Sequence, residues 1–176
     1  VHLTWNQDST DTTVTVTWAT ADSKPSVVEY GLTTSYGSQQ TGTTFYSSSC
    51  TQYMHGVTLT SLTPDTLYHY RCGSSGEWSQ DFTFTTAYSK GDTRPFTFAI
   101  LGDSQLYDEM RNIMKEAVRL NNPRFTVRTG DLVENGDDQD EWNEWFSTME
   151  NLIANSPMMS CLGNHEYLAQ NYFDQF

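Results

Sequence analysis

Apolar and polar positions alternate through Val1, Leu3 and Trp5, and again through Val14, Val16 and Trp18, where the intervening threonines face solvent. A period of two is the pattern of strands with one face in a core. Val27, Val28 and Tyr30 predict a third strand, Tyr53 to Leu59 a later one, and Phe82 with Phe84 the last of the series, with turn pairs such as Tyr36-Gly37 and Cys72-Gly73 between them. That spacing suits a two-sheet sandwich. Past residue 95 the texture changes. Phe96 to Leu101, Phe125 to Thr129 and Met158 to Leu162 read as short strands. Between them Met110, Ile113, Met114 and Ala117, then Trp142, Trp145, Phe146, Met149, Leu152 and Ile153, recur at helical spacing. Asp138 and Glu141 predict a capping box at the start of the second helix. Strand, helix, strand, helix, strand implies a parallel sheet. The expected organisation is multidomain: an all-β sandwich over residues 1–87, a polar linker over 88–95, and the first half of an α/β domain over 96–176.

The formal net charge of −13 and the near absence of lysine, present only at positions 24, 90 and 115, change the picture of partners. Nucleic-acid binding needs clustered cations to neutralise phosphates, and no such cluster exists, so nucleic acid is excluded. A small phosphate ester remains compatible if metal ions supply local positive charge. No apolar run reaches the roughly 20 residues of a membrane span. Val1 opens directly into a strand pattern, as expected if a leader had been removed, and the expected location is extracellular. Cys50 and Cys72 flank the turn near Thr63 and are expected to pair, a bridge worth about 3 kcal/mol in an oxidising compartment. The other reading is two buried free thiols. Cys161 reads as a core thiol.

The chemistry gathers where the three later strands end. The first leads into Gly102-Asp103-Ser104-Gln105, the second into Gly130-Asp131-Leu132-Val133-Glu134, and the third into Gly163-Asn164-His165-Glu166. In parallel sheets ligands collect beyond the carboxyl ends of the strands. One Gly-Asp pair means little, since such pairs occupy turns everywhere. Three oxygen donors in order, each behind a glycine, are a more specific signal. An EF-hand reading of Asp131 to Trp142 fails, because Val133 and Trp142 fall where oxygen ligands are required.

This set resembles the leading motifs of calcineurin-like metallophosphoesterases. The segment Leu62-Thr63-Pro64-Asp65-Thr66-Leu67-Tyr68 is similar to the fibronectin type III pattern, with Tyr68 as a tyrosine corner and Trp18 in the core. A sandwich before those motifs narrows the resemblance to the purple acid phosphatase-like branch. The resemblance implies a pair of metal ions, iron, zinc or manganese, with Asp103 on the first, Asp131 bridging both and Asn164 on the second. It implies that His165 acts near the leaving group and that Glu166 orients it. Such a pair, about 4 Å apart, polarises phosphoryl oxygens and activates water.

Two departures stand out. Glu134 occupies the place of the tyrosine that gives purple members their colour, and Gln105 the place of a glycine or a ligand histidine, so either could supply an oxygen to the first metal. The histidines that complete the site in this family are missing, since only His165 lies in the second half. The expectation is therefore a part of a longer hydrolase, inactive by itself, with a small phosphate-ester substrate. The competing class is an extracellular adhesion or assembly protein, self-associating, that keeps the scaffold without catalysis. His2, His55 and His69 lack ligand spacing and read as solvated or satisfied strand residues.

Overall fold

A computed structural model describes residues 1–5, 9–105 and 108–176. Among the described residues the first half forms nine strands: β1 (His2–Thr4), β2 (Val14–Thr20), β3 (Val27–Gly31), β4 (Ser38–Thr41), β5 (Thr43–Ser47), β6 (Gln52–Leu59), β7 (Leu67–Ser74), β8 (Glu77–Trp78) and β9 (Phe82–Thr85). Two antiparallel sheets result, one in the order β1-β2-β6-β5 and the other β4-β3-β7-β8 with β9 also on β7. The alternation of β2 is realised directly: Val14, Val16 and Trp18 are buried, and Thr15 with Thr17 is less so. Their core partners include Leu3, Val57, Leu59, Tyr70 and Phe84. The Tyr68 hydroxyl folds back to accept the Thr63 N–H at 2.9 Å, the bond expected of a tyrosine corner. β4 and β5 lack apolar alternation, since most of their side chains are exposed, and their pairing rests on backbone bonds to β3 and β6.

Three expectations about side chains here are corrected. Cys50, Cys72 and Cys161 are all free. Cys50 precedes β6 in one sheet and lies with its Sγ 3.8 Å from the Asn171 carbonyl, whereas Cys72 pairs with Val28 in the other sheet, so the turn between them does not bring them together. Cys161 is exposed, just past its strand. His55 is satisfied by Ser26 and Thr20, and His69 by Asp81, as expected. His2 is not solvated and only half satisfied, because it is 3% exposed and, although its ring bonds the Gln175 backbone, Nε2 is unpartnered.

The second half places β10 (Ala99–Leu101), β11 (Thr126–Arg128) and β12 (Met158–Ser160) side by side in a parallel sheet, with α1 (Asp108–Asn121) and α2 (Gln139–Ile153) as the crossovers and α3 (Gln170–Gln175) last. Leu101, Arg128 and Ser160 share one level, so the three loops leave the sheet at one rim. The α2 stripe is core, with Trp142, Trp145, Met149 and Ile153 fully buried. The α1 stripe is not: Arg111, Met114 and Val118 face inward, while Met110 and Ile113 are exposed. The helix rotates this way because Arg111 and Lys115 reach α2 and the first loop through Glu144, Ser104 and Thr148. Asp138 caps α2 through the Asp140 and Glu141 N–H groups, but Glu141 does not close the box; its carboxylate accepts the Glu134 and Asn135 N–H groups instead.

The polar connector is fastened to both halves. The Tyr88 ring lies between the Arg94 and Arg124 guanidinium groups, 4.0 and 4.1 Å from its centroid, and Asp65 accepts from both arginines. Those bonds, led by the one from Arg124, hold the Asp65 carboxyl below its usual range. Among the described residues no helix is long and apolar enough to cross a membrane.

Arg128 is fully buried at the end of β11, with Nε and Nη2 unpartnered and Nη1 3.5 Å from the Met114 sulfur. Burial pushes its pKa down to about 10. A desolvated cation with only the Met114 sulfur and the Trp145 ring, whose centroid is 5.8 Å away, to compensate it is a liability that an apolar side chain of similar length removes. Arg128→Met is therefore expected to stabilise the protein by about 1–4 kcal/mol, read as a higher denaturant midpoint at unchanged slope. A lower midpoint would show that the guanidinium carries a stabilising role.

Candidate metal centre

The three loops are bonded to one another. The Asp103 N–H reaches the Gly130 carbonyl at 3.3 Å, and the Ser104 N–H reaches the Asp131 carbonyl at 2.9 Å. His165 donates its backbone N–H to Asp131 Oδ1 at 2.9 Å, and the Gly136 N–H meets the His165 carbonyl at 3.0 Å. Asp103 and Asp131 both sit in the left-handed region, at φ 54° and 53°. That conformation is uncommon outside glycine and clusters at functional sites, although aspartate tolerates it better than most residues. Two glycines allow the approach. A Cβ on Gly130 would lie 2.3 Å from the Gly163 nitrogen, and one on Gly163 would lie 2.1 Å from Asp131 Oδ1.

Glu166 joins the second and third loops. Its carboxylate is fully buried and accepts the N–H groups of Asp131, Leu132 and Gly163, at 3.0, 2.6 and 2.5 Å. The expectation that it orients His165 is thereby corrected, since its oxygens are taken up by backbone. The His165 ring is held instead by the Glu134 carbonyl, 2.9 Å from Nδ1. A carbonyl only accepts, so Nδ1 carries the hydrogen and Nε2 is left as the ring atom for other partners. This bond, with the negative charges of Glu134, Asp131 and Glu166 adding to it, raises the His165 pKa.

Arg111, not singled out by sequence, and Trp145, Glu141 and Trp142, read there only as helix residues, position these loops. Arg111, buried on α1, donates to the carbonyls of Ser104 and Gln105 at 2.9 and 2.8 Å, and Trp145 Nε1 donates to Ser104 Oγ at 2.9 Å. Glu141 and Trp142 hold the second loop through Glu134, Asn135 and the Gly136 carbonyl. An arginine within an apolar helical stripe was the one available sign.

The donor set fits a cation in its chemistry. The Asp103 carboxylate and the Asn164 amide, both exposed, make no hydrogen bond among the described residues. Gln105 Oε1 and Glu134 Oε2 are closed off from water and accept no hydrogen bond, although the Glu134 side chain is half exposed and its Oε2 lies 3.4 Å from His165 Nδ1. No three His, Cys, Asp or Glu side chains converge as a ligand group among the described residues.

Comparison with known proteins agrees with this layout. A family model described as "Purple acid Phosphatase, N-terminal domain" matches residues 1–86, and one described as "Calcineurin-like phosphoesterase" matches residues 96–176. The chain is 29% identical to acid phosphatase type 7 of Danio rerio, over 95% of this chain and 39% of that protein. It is 30% identical to Fe(3+)-Zn(2+) purple acid phosphatase 12 of Arabidopsis thaliana, over 65% of this chain and 25% of that protein. The chain therefore spans well under half the length of these curated relatives. A solved purple acid phosphatase from yellow lupin (Lupinus luteus) seeds shares the fold, with a TM-score of 0.79 at 20% identity, over 94% of this chain and 35% of that one. With the sheet-rich domain in front and the three-strand motif domain behind it, the chain belongs to the purple acid phosphatase-like, calcineurin-type metallophosphoesterases.

Proposed function

We propose that the whole protein hydrolyses small phosphate monoesters with the help of a metal pair, in an extracellular setting. The observation that carries this reading is the pair Asp103 and Asp131, both at positive φ on hydrogen-bonded neighbouring loops. When bound, the metals supply Lewis-acid polarisation of the phosphoryl group. Asp103, Asp131 and Asn164 would hold them, with Gln105 and Glu134 as further oxygen donors. His165 is the proton donor to the leaving oxygen: with Nδ1 committed to the Glu134 carbonyl, Nε2 is the exchangeable position. Glu166 and Arg111 are positioning residues that keep the loops in register. A net charge of −13 disfavours polyanions and leaves small esters as the substrate class. The extracellular setting rests on the family likeness alone, since the Cys50–Cys72 bridge is not formed.

The test is phosphate release from p-nitrophenyl phosphate by the whole protein and its Asp131→Asn variant. Asparagine tolerates the backbone at φ 53°, so charge is removed without added strain. The variant is expected to lose activity by about a hundredfold or more, as the loss of several kcal/mol of Lewis-acid stabilisation implies. Equal rates would falsify the proposal.

A further inference from the structure

We propose that Asn135-Gly136, in the second loop, is a site of spontaneous deamidation whose rate is set by the clasp between the second and third loops. The inference concerns the chain's own covalent chemistry and stands whether or not the hydrolase reading holds. This is the only Asn-Gly step in the sequence. Glycine has no Cβ, so its nitrogen can close on the side-chain amide of the residue before it with little obstruction. Packing also fixes glycine there, since a Cβ at position 136 would lie 2.2 Å from the Glu166 carbonyl oxygen. The Asn135 side chain is exposed, and its Oδ1 accepts the Asp137 N–H at 3.2 Å. That bond curls the amide over the Gly136 peptide and draws electrons from Cγ. Asn155-Ser156 makes the contrast, because its amide is spanned between the Thr83 N–H and the Asn151 carbonyl.

In the first step the Gly136 nitrogen attacks Asn135 Cγ. The new N–Cγ bond closes a five-membered imide, the bond from Cγ to the side-chain nitrogen breaks, and the Gly136 hydrogen departs with that nitrogen as ammonia. Water then opens the imide at either carbonyl and leaves aspartate or isoaspartate, so the net change is water consumed and ammonia released. The third loop opposes the first step. Gly136 is buried, its N–H donates to the His165 carbonyl at 3.0 Å, and its carbonyl accepts Trp142 Nε1 at 2.8 Å. The nitrogen is free to attack only when the first of these bonds opens. Glu166, next in the chain to His165, keeps that bond closed by tying both loops together. Isoaspartate lengthens the backbone between Asp131 and α2, so a modified loop cannot keep its bonds to His165 and Trp142 in the present register.

The whole protein would be held at mildly alkaline pH and sampled by peptide mass mapping and by methyl transfer from a protein isoaspartyl methyltransferase, beside the same chain unfolded in urea. Asn135 is expected to convert ahead of Asn155, yet about tenfold or more slowly than in the unfolded chain, because the loops must part first. Glu166→Gln is expected to raise the folded-state rate by about two- to tenfold, the worth of one net hydrogen bond. Should that variant not fold, urea below the unfolding transition serves instead: conversion of the unaltered protein is expected to rise in step with hydrogen exchange at the Gly136 amide. Conversion of Asn155 before Asn135 overturns the proposal. So does conversion of Asn135 in the folded protein that is as fast as in the unfolded chain, or that responds neither to Glu166→Gln nor to the opening of Gly136.

Discussion

Glu166→Ala is expected to lower the stability of the protein by on the order of 3–6 kcal/mol, because it strands one buried and two half-buried backbone N–H groups at about 1–2 kcal/mol each. Those donors belong to Asp131, Leu132 and Gly163, so two loops lose their common acceptor at once. For a chain of this size the melting temperature should fall by about 10 °C or more. Glu166→Gln should lie between, since one oxygen remains while the new amide N–H₂ opposes a backbone donor. Scanning calorimetry of the three proteins measures this. A shift under about 2 °C for the alanine variant would mean that water enters and replaces the carboxylate, and that the clamp is dispensable.

The second large effect follows pH. Burial drives the His2 pKa from 6.5 to about 3, in a pocket where its ring lies 5.3 Å from Phe146 and 5.1 Å from Phe176. The unfolded chain takes up a proton below pH 6.5, whereas the folded chain refuses it until about 3. Between these values the unfolded state holds more protons, so stability rises with pH across the window. The contribution is complete above 6.5 and is lost as pH falls through the window toward 3. At about 1.4 kcal/mol per pH unit the loss reaches on the order of 5 kcal/mol. His2→Leu should flatten this part of the profile. Denaturant midpoints from pH 7 to 4 would show it, and parallel profiles for the two proteins would rule His2 out as the source.

What sequence reveals here depends on whether a feature is periodic or convergent. Val14, Val16 and Trp18 repeat along one strand, and Trp142, Trp145 and Met149 along one helix, so their burial is readable from spacing. The Gly-Asp and Gly-Asn-His-Glu ends are legible because each follows a strand in a parallel sheet. β4 and β5 were not legible, since Gln39, Gln40, Thr43 and Thr44 bury little and pair through backbone alone. The role of Glu166 escaped for another reason: it is set by N–H groups of three residues up to 35 positions away. The cysteine pairing failed similarly, because a turn between two residues does not say which sheet each joins.

Tyr70 belongs to the sandwich, yet its hydroxyl caps the end of α2 by donating to the Ala154 carbonyl at 2.6 Å, and Ala154, Phe125 and Met159 pack into the sandwich core. Cutting the sandwich away would leave a helix terminus unsatisfied and a hydrophobic flank wet, so each half leans on the other for part of its stability.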